Sequence, residues 1–479
     1  MIRPSPSGLR RVLLTAALLG TPILATLGSS ARAAEVQVPQ CMEAPNFPQD
    51  SGHSGDGVMT PDARYLVFAS TTSPSAGVIR LDRSNGTETI ASVTTNGQPP
   101  NGASDSPVIT PDGRYVAFRS LASNLVVGDT NAKPDVFVRD LLLGVTERVS
   151  VGDDESQADA SGITPTGHYN APAVSSDGRL VAFTSVSPML TPANAGLPSP
   201  SVQVFVRDRA LSTTTRESRS ADGVAATGLN YQPSLTADGS QIVFTSNWSG
   251  FGGQSASGTG TDVVARDRGT HATSVVSGAS DAQSGGDATI SRSGNRVAFL
   301  ANAALAGQSG TGLFPVVRDL ATNELRNAFT TTEPAAQEEL VAPAISSDGR
   351  YVSYQGQVIG RRAVLVRDLT TNSVRMPYGM NSEQGRSPMA VSDDGRFVSY
   401  MSGPYSYARR LWVGPTYVQS YSLATTPAES WELRQGAEHA SLTIDGWNLT
   451  SDAVFDFGPG VTVNGFAPAA NGRGGVLDL

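Results

Sequence analysis

A nine-residue pattern that recurs along the chain constrains the fold more than any other feature. It reads SSDGRLVAF at 175–183, and close copies begin at residues 110, 236, 346 and 392. The aspartate at its centre recurs as Asp62, Asp112, Asp177, Asp238, Asp348 and Asp394, and Ser293 takes its place in a fifth copy along the chain. These positions define seven repeats, on average about 55 residues apart, a period typical of propellers and solenoids.

Each repeat reads as four short antiparallel strands, here called A to D. In the third repeat, Asp177-Gly178 forms a predicted two-residue hairpin turn between strands A and B. The apolar run 180–184, the segment 203–208 and the Thr-rich segment 214–218 then supply strands B, C and D. Four-stranded sheets in a closed ring leave only short edges, so we predict a seven-bladed, all-β propeller. A solenoid is the alternative, although solenoid repeats are usually shorter and parallel.

The repeat also resembles a known family. The pattern S-x-D-G-R-x-V-A-F, followed by V-F-V-R-D at 136–140 and 204–208, is similar to the WD40-like propeller repeat of TolB and related secreted bacterial proteins. The resemblance extends from about Gly55 to Thr426. It implies the propeller fold and leaves function open, because binding scaffolds and enzyme-associated propellers share this repeat.

The ends of the chain differ from its repeats. Arg3, Arg10 and Arg11 precede an apolar run, and Ala31-Arg32-Ala33 matches a signal-peptide cleavage pattern. We therefore expect a secreted protein, extracellular or periplasmic, that is exported by the general secretory route and cleaved near Ala33. The predicted segments are a signal peptide at 1–33, a lead-in at 34–54, the propeller at 55–426 and a C-terminal segment at 427–479.

The C-terminal segment LTIDGWNLTSDAVFDFGPGVTV (442–463) resembles the start of an IPT/TIG immunoglobulin-like module. Gly446, Asn448 and Phe457-Gly458 carry this similarity. Because the match covers only three or four strands, we expect an incomplete Ig-like segment. A module of this kind is a spacer or a protein-binding unit.

The net charge of the chain excludes some classes of binding partner. The formal net charge is −9, and it becomes −13 when the four arginines of the predicted signal peptide are removed. Such a chain attracts neither nucleic acid nor an anionic membrane surface, and no run after the signal is long enough to span a bilayer. We expect a monomer whose partner is an extracellular or envelope protein or a glycan.

Repetition separates structural residues from functional candidates. A catalytic group is needed once, so the repeated Asp of the turn is interpreted as a turn former. The repeated Arg-Asp step after strand C is interpreted as an inter-blade or turn-stabilising ion pair, at Arg139, Arg207, Arg266, Arg318 and Arg367. Function is then expected in the long B–C and D–A connections at the opposite end of the blades. These connections are 152–170, 185–201, 247–261 and 330–342.

The loop GDTNAKPD (128–135) is a candidate metal site. Asp129, Asn131 and Asp135 place oxygen ligands at spacings that suit Ca²⁺. The alternative is an Asx turn that leads into strand C. Calcium is the one cofactor suggested by the sequence, and none is required by it.

Two further groups are candidate ligand-binding residues. The acidic residues Asp153, Asp154, Glu155 and Asp159 lie near His168 and Tyr169, a combination that serves acid–base chemistry or ligand binding, or is simply a solvated loop. Trp248 and Phe251 lie among Gly and Ser residues, where they can stack on a sugar or a peptide side chain. Alternatively, Trp248 packs over the neighbouring blade.

No unique catalytic constellation stands out in the sequence. We therefore predict a non-catalytic binding or scaffold protein, which binds a ligand or a protein at the long-loop end of the propeller. The alternative is an extracellular hydrolase or lyase that acts on a polymer at the same end.

Overall fold

The computed structural model describes the repeats and part of the C-terminal segment. The described residues are 42–43, 57–70, 77–158, 171–186, 190, 201–251, 261–277, 288–303, 305–308, 313–329, 343–358, 361–377, 385–402, 410–418, 441–447, 465–468 and 473–478. The chain divides into two compact units. One comprises Gln40–Thr416 and contains the repeats; the other comprises Met1–Pro39 with Tyr417–Leu479.

The strands of the first four repeats follow the predicted A to D order. Strand β1 (Met42–Glu43) comes before them. Repeat one contains β2 (Gly57–Met59), β3 (Tyr65–Ser70), β4 (Gly77–Asp82) and β5 (Thr87–Ile90). Repeat two contains β6 (Ser104–Ile109), β7 (Tyr115–Ser120), β8 (Asp135–Asp140) and β9 (Val145–Arg148). Repeat three contains β10 (Ala173–Val174), β11 (Leu180–Ser185), β12 (Gln203–Asp208) and β13 (Thr213–Arg216). Repeat four contains β14 (Asn230–Leu235), β15 (Gln241–Ser246), β16 (Asp262–Asp267) and β17 (Thr273–Val275).

The last three repeats continue this order. Repeat five contains β18 (Thr289–Ile290), β19 (Arg296–Asn302), β20 (Leu313–Asp319) and β21 (Leu325–Asn327). Repeat six contains β22 (Ala344–Ile345), β23 (Tyr351–Val358), β24 (Arg361–Asp368) and β25 (Val374–Pro377). Repeat seven contributes β26 (Gly385–Val391), β27 (Phe397–Ser402) and β28 (Arg410–Val418).

The described strands of the repeats form six propeller sheets, so the prediction of seven separate blades is wrong. Repeats one to five each form a four-stranded antiparallel sheet. Repeats six and seven share one eight-stranded sheet, in which β25 pairs with β28. Among the described residues, repeat seven has three strands, and the edge of β28 that a fourth strand would cover pairs with β25 and with β1. Met42 pairs with Val413 and Glu43 with Trp412, so the beginning of this unit is joined to its last repeat.

The turn between strands A and B differs from the predicted two-residue hairpin. In repeat two, Gly113 N donates to Thr110 O at 2.9 Å, and Thr110 N donates to Tyr115 O at 3.0 Å. Gly113 has a positive φ of 74°, and Asp112 is absent from the described residues with positive φ. The connection between Thr110 and Tyr115 is therefore four residues long, with the left-handed residue at its third position. Asp112 Oδ1 accepts hydrogen bonds from Thr110 Oγ1 and Arg114 N, so the repeated Asp is the turn former that the sequence predicts.

Glycine at this turn is also required by packing between repeats. A Cβ atom on Gly113 would lie 2.3 Å from the Tyr65 ring of the preceding repeat. Repeat one has Ala63 at this position, and it adopts the same left-handed conformation with φ of 59°. The turn therefore reverses the chain between strands A and B and also contacts the neighbouring repeat.

The Asp of each Arg-Asp step stabilises its own repeat. In repeat two, Arg114 follows the A–B turn, and its Nη2 lies 2.7 Å from Oδ2 of Asp140 at the end of strand C. Burial alone would raise the pKa of Asp140, but hydrogen bonds from Arg114 and from the backbone of Leu143 and Leu142 lower it to about 2. The same ion pair recurs as Arg64–Asp82, Arg179–Asp208, Arg296–Asp319 and Arg350–Asp368. The A–B turns and the Arg-Asp steps thus lie at one end of the repeats, as predicted.

In four of the five steps the Arg contacts the preceding repeat, whereas Arg318 donates to Asn323 of its own repeat. Arg139 donates to Thr94 O at 3.1 Å, and Arg367 donates to Phe329 O at 3.0 Å. Arg207 is 2% exposed and donates to Gly152 O at 3.1 Å. Successive residues of a strand point to opposite sides of the sheet. One dipeptide therefore joins neighbouring repeats through its Arg and closes its own turn through its Asp.

The core lies between neighbouring sheets. Val116, Ala117 and Phe118 on strand B are consecutive and fully buried, because each sheet has a neighbour on both of its faces. An aromatic residue occupies the position of Phe118 in every repeat, and burial of one Phe stabilises the fold by about 1.5–3 kcal/mol. The aromatic residues are Phe68, Phe118, Phe183, Phe244, Phe299, Tyr354 and Tyr400.

The second unit contains a three-stranded antiparallel sheet. Its strands are β29 (Ser441–Trp447), β30 (Gly465–Pro468) and β31 (Arg473–Asp478), with β31 in the centre. Whether this sheet belongs to an Ig-like module stays a prediction. Across the described residues, the one helical element is the short turn Ser249–Phe251, and none is long and apolar enough to cross a membrane.

Candidate functional site

The two predicted aromatic residues lie together where the B–C connection of repeat four begins. The rings of Trp248 and Phe251 meet edge to face, with centroids 4.7 Å apart and an interplanar angle of 87°. Phe251 in turn contacts the buried ring of Phe244 on β15, with centroids 5.7 Å apart. A Cβ atom on Gly250 would lie 2.2 Å from the Trp248 ring, so only glycine leaves room for the ring there.

This aromatic group is anchored to the core at one side and partly exposed at the other. Phe244 is fully buried, whereas Trp248 and Phe251 are only partly buried. Trp248 N also donates to Ser246 Oγ at 3.1 Å, which fixes the backbone that carries the ring. A ring held in this way loses little conformational entropy when it stacks on a ligand. The described ring contacts of Trp248 lie within repeat four.

The acidic residues after strand D of repeat two face repeat three. Val151 and Gln157 form an isolated antiparallel bridge, and the residues between them make a small hairpin. Asp153 Oδ1 accepts a hydrogen bond from Thr214 N at 2.6 Å, and Glu155 Oε1 accepts one from Arg207. These two carboxylates therefore take part in the contact between repeats two and three.

Asp154, the remaining described member of the predicted acidic group, has its described contact within its own loop. Hydrogen bonds from the Ser156 side chain and from Ser156 N, which lies 3.0 Å from Asp154 Oδ1, lower the pKa of Asp154. Asp159, His168 and Tyr169 lie outside the described residues. The ligand-binding role of this group stays a prediction.

The carboxylates of the predicted calcium loop lie beside Arg148, an arginine at the end of β9. Arg148 Nη1 lies 3.5 Å from Asp129 Oδ1 and 3.7 Å from Asp135 Oδ2, and it donates to Gln157 Oε1 at 2.8 Å. The side chains of Asp129 and Asp135 are 3% and 0% exposed, and that of Arg148 is 10% exposed. The guanidinium therefore supplies the positive charge that these two carboxylates need in a buried site.

The remaining contacts of the loop also use the atoms that would bind calcium. Asn131 Oδ1 accepts a hydrogen bond from Lys133 N at 3.0 Å, and Asn131 Nδ2 donates to Asp135 Oδ2 at 3.1 Å. Burial raises the pKa of both Asp129 and Asp135, against the effect of Arg148. The oxygen atoms that would bind Ca²⁺ thus have protein partners in this arrangement, and the calcium site stays a prediction. Among the described residues, no group of three or more His, Cys, Asp or Glu side chains is suited to a metal ion.

Sequence reasoning missed a cavity between the innermost strands of the repeats. Its volume is about 320 Å³, and Arg292 is the one charged side chain among the described residues that line it. Arg292 occupies the position just before the turn residue Ser293, where the other repeats have Pro61, Pro111, Ser176, Ala237, Ser347 and Asp393. Arg292 is the one basic residue at this position of the repeat, and that difference is the sequence signal that points to the cavity.

Backbone hydrogen bonds connect these positions around the end of the cavity. Ser176 N donates to Ala237 O at 2.7 Å, and Ala237 N donates to Arg292 O at 2.8 Å. Asp393 N donates to Pro61 O at 2.8 Å, which joins the last repeat to the first. Arg292 Nη1 donates to Ser176 Oγ at 3.1 Å, so this side chain extends past repeat four to repeat three.

No protein-family model matches the chain, and no curated protein is similar to it in sequence. Among solved structures, TolB from Acinetobacter baumannii is 16% identical, with 77% of this chain aligned to 66% of TolB at a TM-score of 0.37. The chain thus spans just under two thirds of that protein.

Two other solved structures are similar in the same way. An oligogalacturonate lyase from Vibrio parahaemolyticus is 11% identical, with 79% of this chain aligned to 94% of the lyase at a TM-score of 0.47. The β-propeller domain of the trilobed protease from Pyrococcus furiosus is 11% identical, with coverages of 79% and 98% and a TM-score of 0.46. Similarities this distant carry no information about what the chain binds or catalyses.

Proposed function

We propose that the chain is a secreted, non-catalytic binding protein that recognises an envelope glycan or protein at the B–C end of the propeller. The observation that supports this proposal is the aromatic group of Trp248, Phe251 and Phe244. A partly exposed Trp on a rigid aromatic support is the kind of residue that dominates binding surfaces. It offers a flat apolar face to a sugar ring or an apolar side chain and supplies no nucleophile or base.

The proposal is tested with purified mature protein and soluble peptidoglycan fragments as the probe. We expect the fragments to change the intrinsic fluorescence of Trp248 and to bind with measurable affinity. Trp248→Ala should weaken binding about tenfold or more, the usual effect of losing a central aromatic contact. Phe251→Leu should give a smaller loss, because it leaves the Trp ring but removes its support.

The matched control is Leu142→Ala, which removes an exposed apolar side chain at the A–B end of repeat two. It should leave binding unchanged. A loss of binding in both variants, or in neither, contradicts the proposed surface. Turnover of a polysaccharide, ester or peptide by the mature protein, abolished by His168→Ala, would establish the hydrolase or lyase alternative instead.

We further propose that residues 1–33, which lie outside the described residues, direct export and are removed. The basic start, the apolar run and Ala31-Arg32-Ala33 support this proposal. Expression in a bacterial host followed by N-terminal sequencing should find a secreted chain that begins at Ala34. A cytoplasmic chain that retains its first residues contradicts it.

A further inference from the structure

The cavity between the innermost strands has the size and walls of a small-molecule site. Its volume of about 320 Å³ lies at the lower end of the range of ligand pockets, roughly 300–1,000 Å³. Every repeat contributes to its wall, and most of the wall is apolar. Apolar lining residues include Met59, Val108, Val174, Leu235, Ile290, Ile345 and Val391.

Arg292 gives this apolar cavity a single positive charge. Its described hydrogen bond is to the neutral hydroxyl of Ser176, and it belongs to none of the described ion pairs. Burial lowers the pKa of Arg292, and the Asp393 carboxylate opposes this effect from a distance. Asp393 Oδ1 itself accepts a hydrogen bond from Ser347 N at 2.7 Å. A guanidinium in this setting is stabilised by any anion that can reach it.

The repeated Arg-Asp pairs show how unusual this arrangement is within the chain. Arg114, Arg179 and Arg350 each lie 2.7 Å from the carboxylate of an Asp in the same repeat. Those arginines close turns, whereas Arg292 lines a cavity. Its charge is therefore available to a molecule that enters the cavity.

We propose that the central cavity binds a small monoanion with an apolar body, such as a carboxylate, whose charged group pairs with Arg292. This site is separate from the aromatic group at the B–C end, and the proposal goes beyond the function proposed above. Two parallel hydrogen bonds from a guanidinium match the two oxygens of a carboxylate. The apolar walls favour the body of such a ligand and disfavour a second charge, which would have no partner among the lining residues.

Isothermal titration calorimetry with the mature chain tests the proposal, with octanoate as the probe. Octylamine has the same apolar chain and the opposite charge. We expect octanoate to bind, and octylamine to bind at least about tenfold more weakly. Arg292→Met, which keeps an apolar side chain of similar length, should weaken octanoate binding by about tenfold or more. Arg292→Lys should retain part of the affinity, because it keeps the charge and loses the paired geometry.

Two further variants keep the test decisive. Arg318→Met removes an arginine that binds its own turn at Asn323, and it should not change octanoate binding. Ala171→Leu adds bulk to the cavity wall and should weaken octanoate binding without changing any charge. A melting curve for each variant identifies any that fail to fold, and Ala171→Leu then decides the question alone.

The proposal is overturned if octanoate, hexanoate and benzoate all fail to bind, or if octanoate and octylamine bind equally well. It is also overturned if octanoate binds a folded Arg292→Met variant as tightly as the wild type. Trp248→Ala should leave octanoate binding unchanged, and Arg292→Met should leave binding of peptidoglycan fragments unchanged. Failure of one proposal is therefore distinguishable from failure of the other.

Discussion

Repeats two and four place an aspartate at the same point and surround it differently. Asp135 begins β8 and Asp262 begins β16, and each carboxylate accepts a hydrogen bond from a serine just after strand D, Ser150 or Ser277. In both repeats the hydroxyl of that serine also accepts a hydrogen bond from a strand C backbone amide. The two sites differ in whether a cation lies beside the carboxylate.

The difference lies at one position of strand D. Arg148 pairs with Phe137 in the register of repeat two, and Val275 pairs with Val264 at the same place in repeat four. Asp135 therefore has a cation beside it, whereas Asp262 belongs to none of the described ion pairs. Burial raises the pKa of both carboxylates. The chain thus has two buried aspartates at equivalent positions of the repeat, Asp135 with a cation beside it and Asp262 without one.

In repeat three, the neutral side chain of Gln203 occupies the same position. Gln203 begins β12, and its Oε1 accepts a hydrogen bond from Ser218 Oγ at 2.6 Å. The hydrogen bond to serine is therefore the feature that the three repeats share, and the negative charge is not needed to form it.

The largest effect is expected from Arg148→Met. This change leaves Asp129 and Asp135 buried without their cation, which typically costs about 3–5 kcal/mol of the free energy of unfolding. Urea unfolding of the mature chain measures it. Arg326→Met is the control, because the Arg326–Glu324 pair is about half exposed and such pairs are worth roughly 0–1 kcal/mol. Equal effects of the two changes would mean that Arg148 is not a structural cation.

A second prediction concerns the sign of two matched changes. Asp135→Asn should destabilise the chain by roughly 2 kcal/mol, because it removes a partner of Arg148. Asp262→Asn should stabilise the chain by about 1 kcal/mol, because it removes a buried charge and keeps an acceptor for Ser277. Differential scanning calorimetry of both variants at pH 7 measures the difference. Changes of the same sign would contradict the role assigned to position 148.

Much of this scaffold was predictable from the sequence. Six aspartates in one repeated turn indicated a structural role, and Asp112 has that role. The Arg-Asp step was predicted as either an inter-blade contact or a turn-stabilising pair, and it is both, because Arg139 and Asp140 point to opposite sides of one sheet. Side-chain alternation allows this division of roles, because it places neighbouring side chains on opposite sides of the sheet.

Other features depend on contacts that the repeat pattern does not record. The pairing of β25 with β28 follows from an open strand edge, so counting repeats predicts seven separate blades where the described strands form six propeller sheets. Arg292 looks like an ordinary loop residue until the innermost strands meet around a cavity. Arg148 and Asp129 are 19 positions apart, and only the strand register brings their charges together.

The pH dependence of stability should distinguish Asp262, whose pKa is raised by folding, from Asp140, whose pKa is lowered. Folding raises the pKa of Asp262 above its ordinary value of 3.8, so its contribution to stability is present below that value and is lost as the pH rises through the folded pKa. Hydrogen bonds in the Arg-Asp pair lower the pKa of Asp140 to about 2, so its contribution is present above pH 4 and is lost as the pH falls towards 2.

Asp262→Asn isolates the first of these effects. The gain in stability of this variant over the wild type should grow as the pH rises from 4 to 7, to the value of roughly 1 kcal/mol given above. Urea midpoints at several pH values measure it, with Asp238→Asn as the control for an aspartate in an exposed turn. A gain that is constant over this range would mean that Asp262 has the same pKa in both states.

The smallest effect is expected from calcium on the wild-type chain. If Asp129, Asn131 and Asp135 held Ca²⁺, as the loop sequence predicts, saturation at 100–1,000 times Kd would stabilise the folded state by about 2.7–4.1 kcal/mol. The described contacts favour no shift, because Arg148 already lies beside both carboxylates. Melting curves of the wild type in calcium and in chelator should therefore coincide.

Arg148→Met sharpens this test, because it removes the internal cation and leaves the oxygen ligands in place. A calcium-dependent rise in Tm that occurs in Arg148→Met and not in the wild type would show that the arginine substitutes for a metal. A rise in the wild type, lost in Asp129→Ala, would instead establish the loop as a calcium site.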